Sequence, residues 1–262
     1  DAEYLDRRRW DDVNTAELSL WAERSRTLAE SASRSRLELA VGQAFWPQMP
    51  DVNWVWPGPV IPPGPREVRG ARYARAQVSS QHETRVGSAA LRLRSVAAGA
   101  LGGTAVPLQR RVFLAGADPY ATFTNPFLRS RGAPLARSDV HYQAPGGLGL
   151  RGYAPVVSAT WGVALNAEAV WHAVERPTRR AFSSVTLAAF ADGALLDRAA
   201  LGRAAAADAG IGVRAAHQIG PTRFVTRLDL PLLVTRPAAA VAGAAGDGAF
   251  KFRWVWSFEE AF

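Results

Sequence analysis

The sequence lacks the residues that support several common kinds of site. It contains no cysteine, which excludes a disulfide framework and any thiolate metal site. The histidines His82, His141, His172 and His217 are scattered along the chain, and no His-Glu-x-x-His spacing, nucleophile elbow or phosphate-binding glycine loop occurs. The sequence therefore predicts no enzyme, no metal and no cofactor.

Long apolar runs and lysine are also missing. No stretch approaches the roughly 18 to 20 consecutive apolar residues of a membrane-spanning helix. Lys251 is the only lysine, so the formal charge of +8 comes from arginine. These arginines alternate with apolar residues instead of clustering on one helix or tail, so the charge predicts no nucleic-acid partner. The chain begins at Asp1 without a Met or a signal peptide, which indicates a processed mature protein or a fragment of a longer one.

What the sequence has in quantity is alternation with a period of two, the period of a β-strand. No segment indicates an amphipathic helix longer than about two turns. In 157–171, the residues Val157, Ala159, Trp161, Val163 and Leu165 share the face predicted to point outward, whereas Asn166 and Glu168 lie on the other face. The other predicted strands lie within 17–23, 37–45, 71–79, 89–94, 107–114, 185–192, 210–215, 224–232 and 250–262.

The two faces of these strands differ in polarity. The polar face carries most of the strand arginines, namely Arg75, Arg92, Arg94, Arg214, Arg227 and Arg253. An arginine that faces lipid at the bilayer midplane costs about 2–4 kcal/mol, so this segregation favours strands with lipid outside and a polar lumen inside. Arg72 breaks the pattern, but near a strand end it can extend to the interface. The alternative interpretation is a soluble β-sandwich that buries the apolar face.

The C-terminal strand has the strongest alternation. FKFRWVWSFEEAF carries an aromatic residue at every second position from Phe250 to Phe258 and ends on Phe262. Soluble strands average about five or six residues, whereas a tilted membrane-spanning strand needs about nine to eleven. We therefore predict that the aromatic residues of this strand form a lipid-facing girdle; they include Trp254, Trp256, Phe258 and Phe262.

The connections predict a topology. With the C-terminus on the periplasmic side, the turns 102–107, 175–180 and 218–221 also lie there, and the long segments 115–152, 193–207 and 235–249 lie outside. Short periplasmic turns with long external loops are typical of outer-membrane barrels. The proline-rich segment 47–66 is the exception, because it is long and is predicted to lie on the periplasmic side. It either forms a periplasmic plug or contains a strand that the alternation does not reveal.

Four motifs occur in order over roughly 145–262. They are PGGLGLRGYAP (145–155), FADG (190–193), the strand–turn–strand segment 208–233, and the closing strand that ends on Phe262. Together they resemble the outer-membrane barrel-assembly insertase superfamily, which includes the two-partner-secretion translocators and their surface-antigen relatives. The resemblance implies a barrel whose long external loop, here 115–152, folds back into the lumen. It also implies that the closing strand carries a C-terminal insertion signal, formed by Trp254, Trp256, Phe258 and Phe262.

The resemblance also implies that Arg151, Gly152 and Tyr153 lie against the inner wall. Asp192 falls on the inward face of its strand and is the predicted ion-pair partner of Arg151, with Glu168 as the second candidate. Phe190 shares that face and presents a ring on which the guanidinium can stack. The loop glycines would allow a tight tip that approaches the wall closely; they are Gly146, Gly147 and Gly149.

The sequence thus predicts an all-β protein, an antiparallel transmembrane β-barrel of about 10–12 strands in the bacterial outer membrane, narrow enough to be largely filled. Residues 1–14 are predicted to be a periplasmic segment and 15–262 the barrel. The expected function is membrane anchoring, protein assembly or polypeptide translocation. The expected partners are outer-membrane lipid and other envelope proteins or a polypeptide cargo. The alternatives are an anchoring subunit or C-terminal domain of a larger envelope complex, and a soluble β-sandwich binding module.

Overall fold

The computed structural model of the chain describes residues 13–45, 70–102, 106–116, 146–153, 158–175, 184–197, 205–219, 222–235, 249–250 and 254–260. These residues form β-strands and one short 3₁₀ helix, Leu108–Arg110, so the predicted all-β class is confirmed. No helix within these ranges is long and apolar enough to cross a membrane. The strands are β1 (Asn14–Thr27), β2 (Ser31–Phe45), β3 (Ala71–Val86), β4 (Ala89–Leu101), β5 (Val112–Phe113), β6 (Ser158–Ala159), β7 (Trp161–Glu175), β8 (Ser184–Leu196), β9 (Ala205–Ile219), β10 (Thr222–Val234) and β11 (Val255–Glu260).

Nine of these strands form one antiparallel sheet in the order β1-β2-β3-β4-β7-β8-β9-β10-β11. Each strand pairs with its neighbour along the chain, except that β4 pairs with β7 across the long connection between them. The short strands β5 and β6 lie in that connection and pair only with each other. Among the described strands, β1 and β11 stand at the two ends of the sheet and do not pair with each other.

The long connections all leave the same end of the sheet. Because neighbouring strands are antiparallel, β2, β4 and β10 all end at one end of the sheet, and the turns 28–30 and 87–88 and the end of β9 lie at the other. The strand ends that flank the proline-rich segment 47–66, which itself lies outside the described residues, are at the same end as those of the other long connections, so the segment is not the exception predicted from the sequence. We call the end with the long connections the loop end.

The reason for this correction lies in residues 107–114, which are not a strand of the main sheet. Pro107, with φ of −56°, precedes the 3₁₀ helix, and the strand that follows consists of Val112 and Phe113, which pair with β6. Proline fixes φ and lacks a backbone N–H donor, so it suits the start of such a turn. Removing this strand from the count moves every earlier connection to the opposite end of the sheet.

The polar and apolar faces of the sheet lie as the alternation predicts. On β7, Leu165 points outward and is 52% exposed, whereas Glu168 points inward and is only 8% exposed. Asn166 is buried like Glu168, and Trp161 and Trp171 are exposed like Leu165. This is the reverse of a water-soluble protein, in which apolar side chains are the ones most often buried.

Two local predictions about facing are wrong. Ala159 was predicted to point outward on a continuous strand, but it lies in β6, is buried, and is separated from β7 by Thr160. Strict alternation along the predicted strand 224–232 places Leu232 on the same outward face as Leu228, but the register of β10 shifts between Leu230 and Leu233, and Leu233 is the exposed residue. Pro231 lies at this irregularity, where a residue without an N–H donor is tolerated in a sheet.

The largest buried cluster lies on the inner side of the sheet. The connection between β4 and β7 folds back against the inner wall, and its apolar side chains pack on small and branched residues of β4, β7, β8, β9 and β10. From the connection come Val112, Leu114, Ala115, Leu148, Leu150, Tyr153 and Ala159; from the wall come Val96, Ala164, Ala194, Leu196, Ala206 and Val234. This packing fixes the tip of the connection, and that tip carries the predicted site.

Candidate functional site: a loop arginine on the inner wall

The tip 146–153 is held by backbone hydrogen bonds to the preceding part of the same connection. The N–H of Leu148 donates to the carbonyl of Phe113 at 2.9 Å, and the N–H of Leu150 donates to the carbonyl of Leu114 at 3.1 Å. Arg94 of β4 donates from Nη2 to the carbonyl of Gly147 at 2.8 Å. Gly149 has φ of +79°, in the region that favours glycine. These contacts direct the next residue, Arg151, toward the wall.

Arg151 contacts three strands of the wall. Its Nη1 lies 2.8 Å from Oε2 of Glu168 on β7. Its Nε lies 3.2 Å from Oδ2 of Asp192 on β8, and its Nη1 lies 3.8 Å from Oδ2 of Asp229 on β10. The guanidinium carbon also lies 4.0 Å from the ring centroid of Phe190, within the range of a cation–π contact. One side chain therefore joins β7, β8 and β10 on their inner face.

The carboxylates around Arg151 keep it charged. Burial by itself lowers the pKa of Arg151, but Asp192, Asp229 and Glu168 outweigh that effect and leave its pKa above the ordinary value. A buried cation with such partners is expensive to expose or neutralise, because the carboxylates would lose their compensation as well. The tip is thus held electrostatically as well as by packing.

Gly152 and Tyr153 complete the docking of the tip. The N–H of Gly152 donates to Oδ2 of Asp208 on β9 at 3.0 Å. A Cβ at Gly152 would lie 2.6 Å from Cγ2 of Val234 and 2.9 Å from Cβ of Asp208, so only glycine fits without displacement. The Tyr153 ring is fully buried, and its hydroxyl lies 3.3 Å from the carbonyl of Ala207 and 3.0 Å from Oγ1 of Thr235.

Several residues of this cluster were not predicted as site residues. Arg214 of β9 forms hydrogen bonds from both terminal nitrogens to Glu168. Asn166 donates to Asp192 at 3.2 Å and accepts from Arg94 at 3.1 Å. The only signal in the sequence was that these side chains share the inward face of their strands. Alternation alone cannot say which inward residues lie at the same height, because height depends on the register between strands.

The cluster is dense in charge, and three of its carboxylates face guanidinium groups, whereas Asp208 accepts from the Gly152 N–H and lies opposite Asp192. Arg227 Nε lies 2.9 Å from Oδ2 of Asp229, and Glu168 lies between Arg151 and Arg214. Within the described ranges, no group of three or more His, Cys, Asp or Glu side chains is arranged to hold a metal ion. What this geometry can do is hold the loop tip at one place on the wall.

A second polar contact ties the same connection to the other side of the sheet. Arg110, in the 3₁₀ helix, binds the carboxylate of Glu17 on β1 with Nε at 2.8 Å and also with Nη2. Tyr73 of β3 donates its hydroxyl to the same carboxylate at 2.9 Å. Because Glu17 pairs with Gly42, and Gly42 pairs with Tyr73, the phenol ring lies across the glycine to reach Glu17. The connection thus contacts β1 as well as the strands at the opposite side of the sheet.

The remaining predicted residues lie away from this cluster or beyond the described ranges. Gly146 and Gly147 lie in the tip with positive φ values of 144° and 55°. Trp254 and Trp256 are half-buried, the first just before β11 and the second on it. The side chain of Phe258 and the whole of Phe262, like Arg253, Val157 and the segment 47–66, lie outside the described residues.

No protein-family model matches the chain, and no curated protein matches it. The contacts themselves therefore carry the functional argument.

Proposed function

We propose that the chain is an outer-membrane β-barrel, similar in architecture to the C-terminal half of the barrel-assembly and translocation superfamily, which acts in membrane anchoring, protein assembly or polypeptide translocation. The observation that carries this proposal is the placement of polarity on the main sheet. Its outward face is apolar and exposed, its inward face holds desolvated ion pairs, and a long connection is folded onto the inward face by Arg151.

The apolar outward face supports lipid as its surroundings. Every strand from β1 to β10 in the main sheet exposes at least one large apolar side chain on this face; they include Leu18, Leu39, Val78, Leu93, Leu165, Leu187, Ile211 and Leu228. An exposed apolar area of this extent marks contact with lipid or another protein. The main-sheet strands β1 to β4 and β7 to β10 contain 13 to 16 residues, which exceeds the length that a tilted membrane crossing requires.

In this proposal the sheet closes by bringing β1 toward β11. An open sheet edge in hydrocarbon would leave backbone N–H and C=O groups unpaired, at several kcal/mol for each group. The connection between β4 and β7 assists closure, because it contacts β1 through Arg110 and Glu17 and contacts β10 through Arg151 and Asp229. Residues from both sides of the sheet are therefore linked through one segment on its inner side.

An anchoring or structural subunit of a larger envelope assembly is the second candidate. It is favoured by the apolar cluster between the connection and the wall, because a filled interior suits an anchor better than a conduit. A soluble β-sandwich is less well supported, because it needs a second sheet over the apolar face. The one other sheet within the described ranges, β5–β6, packs on the inward face.

A gel-shift experiment tests the barrel. We expect the detergent-extracted protein to migrate as a compact band that shifts on boiling, and we expect Arg151→Ala to lower the temperature of that shift, because Glu168, Asp192 and Asp229 lose their shared cation. Arg34→Ala, at a solvent-exposed ion pair of the same sheet, serves as the matched control. Extraction of the folded protein in plain buffer, with no shift on boiling, would reject the barrel in favour of the sandwich.

Substitutions on the outward face test the lipid contact. Leu165→Arg, in the middle of β7, is expected to destabilise the protein in phospholipid vesicles by about 2–4 kcal/mol. Leu101→Arg, at the end of β4, is the control and should cost about 0–1 kcal/mol, because an arginine near the interface can reach water. Unfolding in urea, followed by tryptophan fluorescence, measures both. Equal effects of the two substitutions would contradict lipid contact along β7.

A further inference from the structure

A cavity separate from the Arg151 cluster lies between the inner wall and the folded-back connection. Its volume is about 110 Å³, and its wall comes from β2, β3, β4, the segment around β5 and the loop tip. The polar side chains that line it are Glu38, Arg75, Gln77 and Arg111, and the backbone at Gly146 and Gly147 forms another part of the wall. The cavity is bounded on its apolar side by Ala98, Val112 and Phe113.

Arg111 is the residue that distinguishes this cavity. Its side chain is half-buried, and its Nε is fully enclosed and has no hydrogen-bond partner in the described part of the chain. The described residues form no ion pair with it either. A guanidinium carries five N–H donors, and an enclosed donor without an acceptor is unfavourable. Nε itself is out of reach from the cavity, but Arg111 lines the cavity, so an acceptor there would bind the accessible part of the same guanidinium.

Among the described residues, the charge around the cavity has a positive surplus. Glu38 is the only acidic side chain that these residues contribute to its wall. Its carboxylate lies 3.6 Å from Nη1 of Arg75 and 3.4 Å from Nη2 of Arg36, so two arginines already share it. Arg111 therefore adds a positive charge that Glu38 does not offset. Excess positive charge in a partly enclosed space attracts an anion more strongly than the same charge would in water.

We propose that this cavity binds a small oxyanion, with Arg111 and Arg75 as its cationic ligands and Gln77 as a neutral donor. The cavity is larger than the space that a single water needs, so it has room for one small group such as sulfate, phosphate or a carboxylate. Arginine matches these groups because its planar fork forms paired hydrogen bonds to two oxygens.

The position of the site gives the oxyanion a structural consequence. Arg75 belongs to the sheet, whereas Arg111 and Gly146–Gly147 belong to the connection that folds back onto it. An anion between them would link the connection to β3, on the side of the sheet away from Glu168 and Asp192. It would supplement the Arg110–Glu17 contact at the loop end.

Calorimetric titration of the folded full-length protein tests the site, with sodium sulfate in one arm and sodium acetate in the other, each at constant ionic strength set by sodium chloride. We expect one of the two anions to bind. We expect Arg111→Gln to weaken that binding by about tenfold or more, equivalent to about 1.4 kcal/mol. Arg111→Lys, which keeps the charge but loses the planar fork, should bind with intermediate affinity.

Arg34→Gln is the matched control, because it removes the same charge from the inward face of β2 at an arginine that is paired with Glu23 and does not line the cavity. It should leave anion binding unchanged. Preference for sulfate would identify the ligand as a tetrahedral oxyanion, and preference for acetate would identify it as a carboxylate. The proposal is overturned if neither anion binds, which would mean that the cavity holds water, or if Arg111→Gln and Arg34→Gln weaken binding equally. If Arg111→Gln does not fold, Arg111→Lys decides by the same comparison.

Discussion

The two sides of the main sheet contain the same kinds of ion pair in different surroundings. On the β1–β4 side, Arg34 lies 2.9 Å from Glu23, and the arginine side chain is 60% exposed. On the β7–β10 side, Arg151 lies 3.2 Å from Asp192, whose side chain is fully buried. The distances are similar, but only the second pair is removed from water.

The folded-back connection makes this difference. Its tip covers the inward face of β7 to β10 with Leu148, Leu150 and Tyr153, whereas much of the inward face of β1 and β2 remains exposed. An exposed pair gains little, because water screens it and its side chains lose freedom. A desolvated pair is strongly destabilising when one partner is removed, because the remaining charge is left buried. The contribution of a charged residue to the free energy of unfolding therefore depends on whether the connection covers it.

The largest expected loss of stability comes from removing the charge of Glu168, a carboxylate that lies near arginines from both sides of the sheet. Glu168 contacts Arg151 and Arg214 on the covered side, and Arg92 lies 3.7 Å from its Oε1. Glu168→Gln leaves two buried arginines with less compensation, so we expect it to lower the free energy of unfolding by about 3–5 kcal/mol. Chemical unfolding monitored by tryptophan fluorescence measures the change.

Glu83→Gln is the matched control for that prediction. Glu83 also binds Arg92, at 2.6 Å, but both side chains are about 40% exposed. Its loss should therefore change the free energy of unfolding by about 0–1 kcal/mol. If the two substitutions had equal effects, burial by the connection would not distinguish the two sides of the sheet.

A smaller effect is expected from blocking the close approach of the tip. Gly152→Ala places a methyl group against Asp208 and Val234, and overpacking of this kind costs about 1–3 kcal/mol. Gly193→Ala on β8 meets no atom within 4 Å and should change the stability by no more than about 0.5 kcal/mol. Thermal unfolding of the two variants measures the difference. A neutral Gly152→Ala would show that the tip is not packed against β9 and β10 as described.

The smallest effect is expected at the exposed end of β1 and β2. Arg34→Gln breaks the pair with Glu23 where water already solvates both groups, so the unfolding midpoint should remain unchanged within error. Raising the salt concentration to 1 M, where the screening length is about 3 Å, should likewise leave the midpoint of this variant and of the unsubstituted chain equal. A clear loss of stability in Arg34→Gln would show that β1 and β2 are covered in solution.

Much of the fold follows from alternation along single segments. The outward position of Leu165 and the inward position of Glu168 could be predicted, because side chains on a strand alternate whatever the strand pairs with. The weak segment 107–114 was predicted wrongly for the same reason. Its Val112 and Leu114 are two residues apart, like residues on one face of a strand, but Phe113 between them is apolar too, and all three are buried because the connection folds inward. Pro231 shows a second reason why alternation fails to predict which way a side chain points. One irregularity in the strand reverses the facing of the residues that follow it.

The candidate site was predictable only in part. The motif around Arg151 and the inward facing of Asp192, Glu168 and Phe190 were readable in the sequence. The roles of Arg214 and Asp208 were not, because they depend on pairing β8 with β9 so that Asp192 lies opposite Asp208. Nor could the sequence reveal that Nε of Arg111 has no hydrogen-bond partner among the described residues. That depends on where the connection between β4 and β7, almost sixty residues long, returns to the wall.

The sequence by itself determined which face of each long strand is apolar, because the period of two is a property of the extended backbone and requires no partner. Only the tertiary structure decided which charges are desolvated. The registers align Glu168, Asp192 and Asp229 around one point, and the folded connection brings Arg151 to it and excludes water. Strand alternation is local, whereas burial of a charge requires surface from distant parts of the chain.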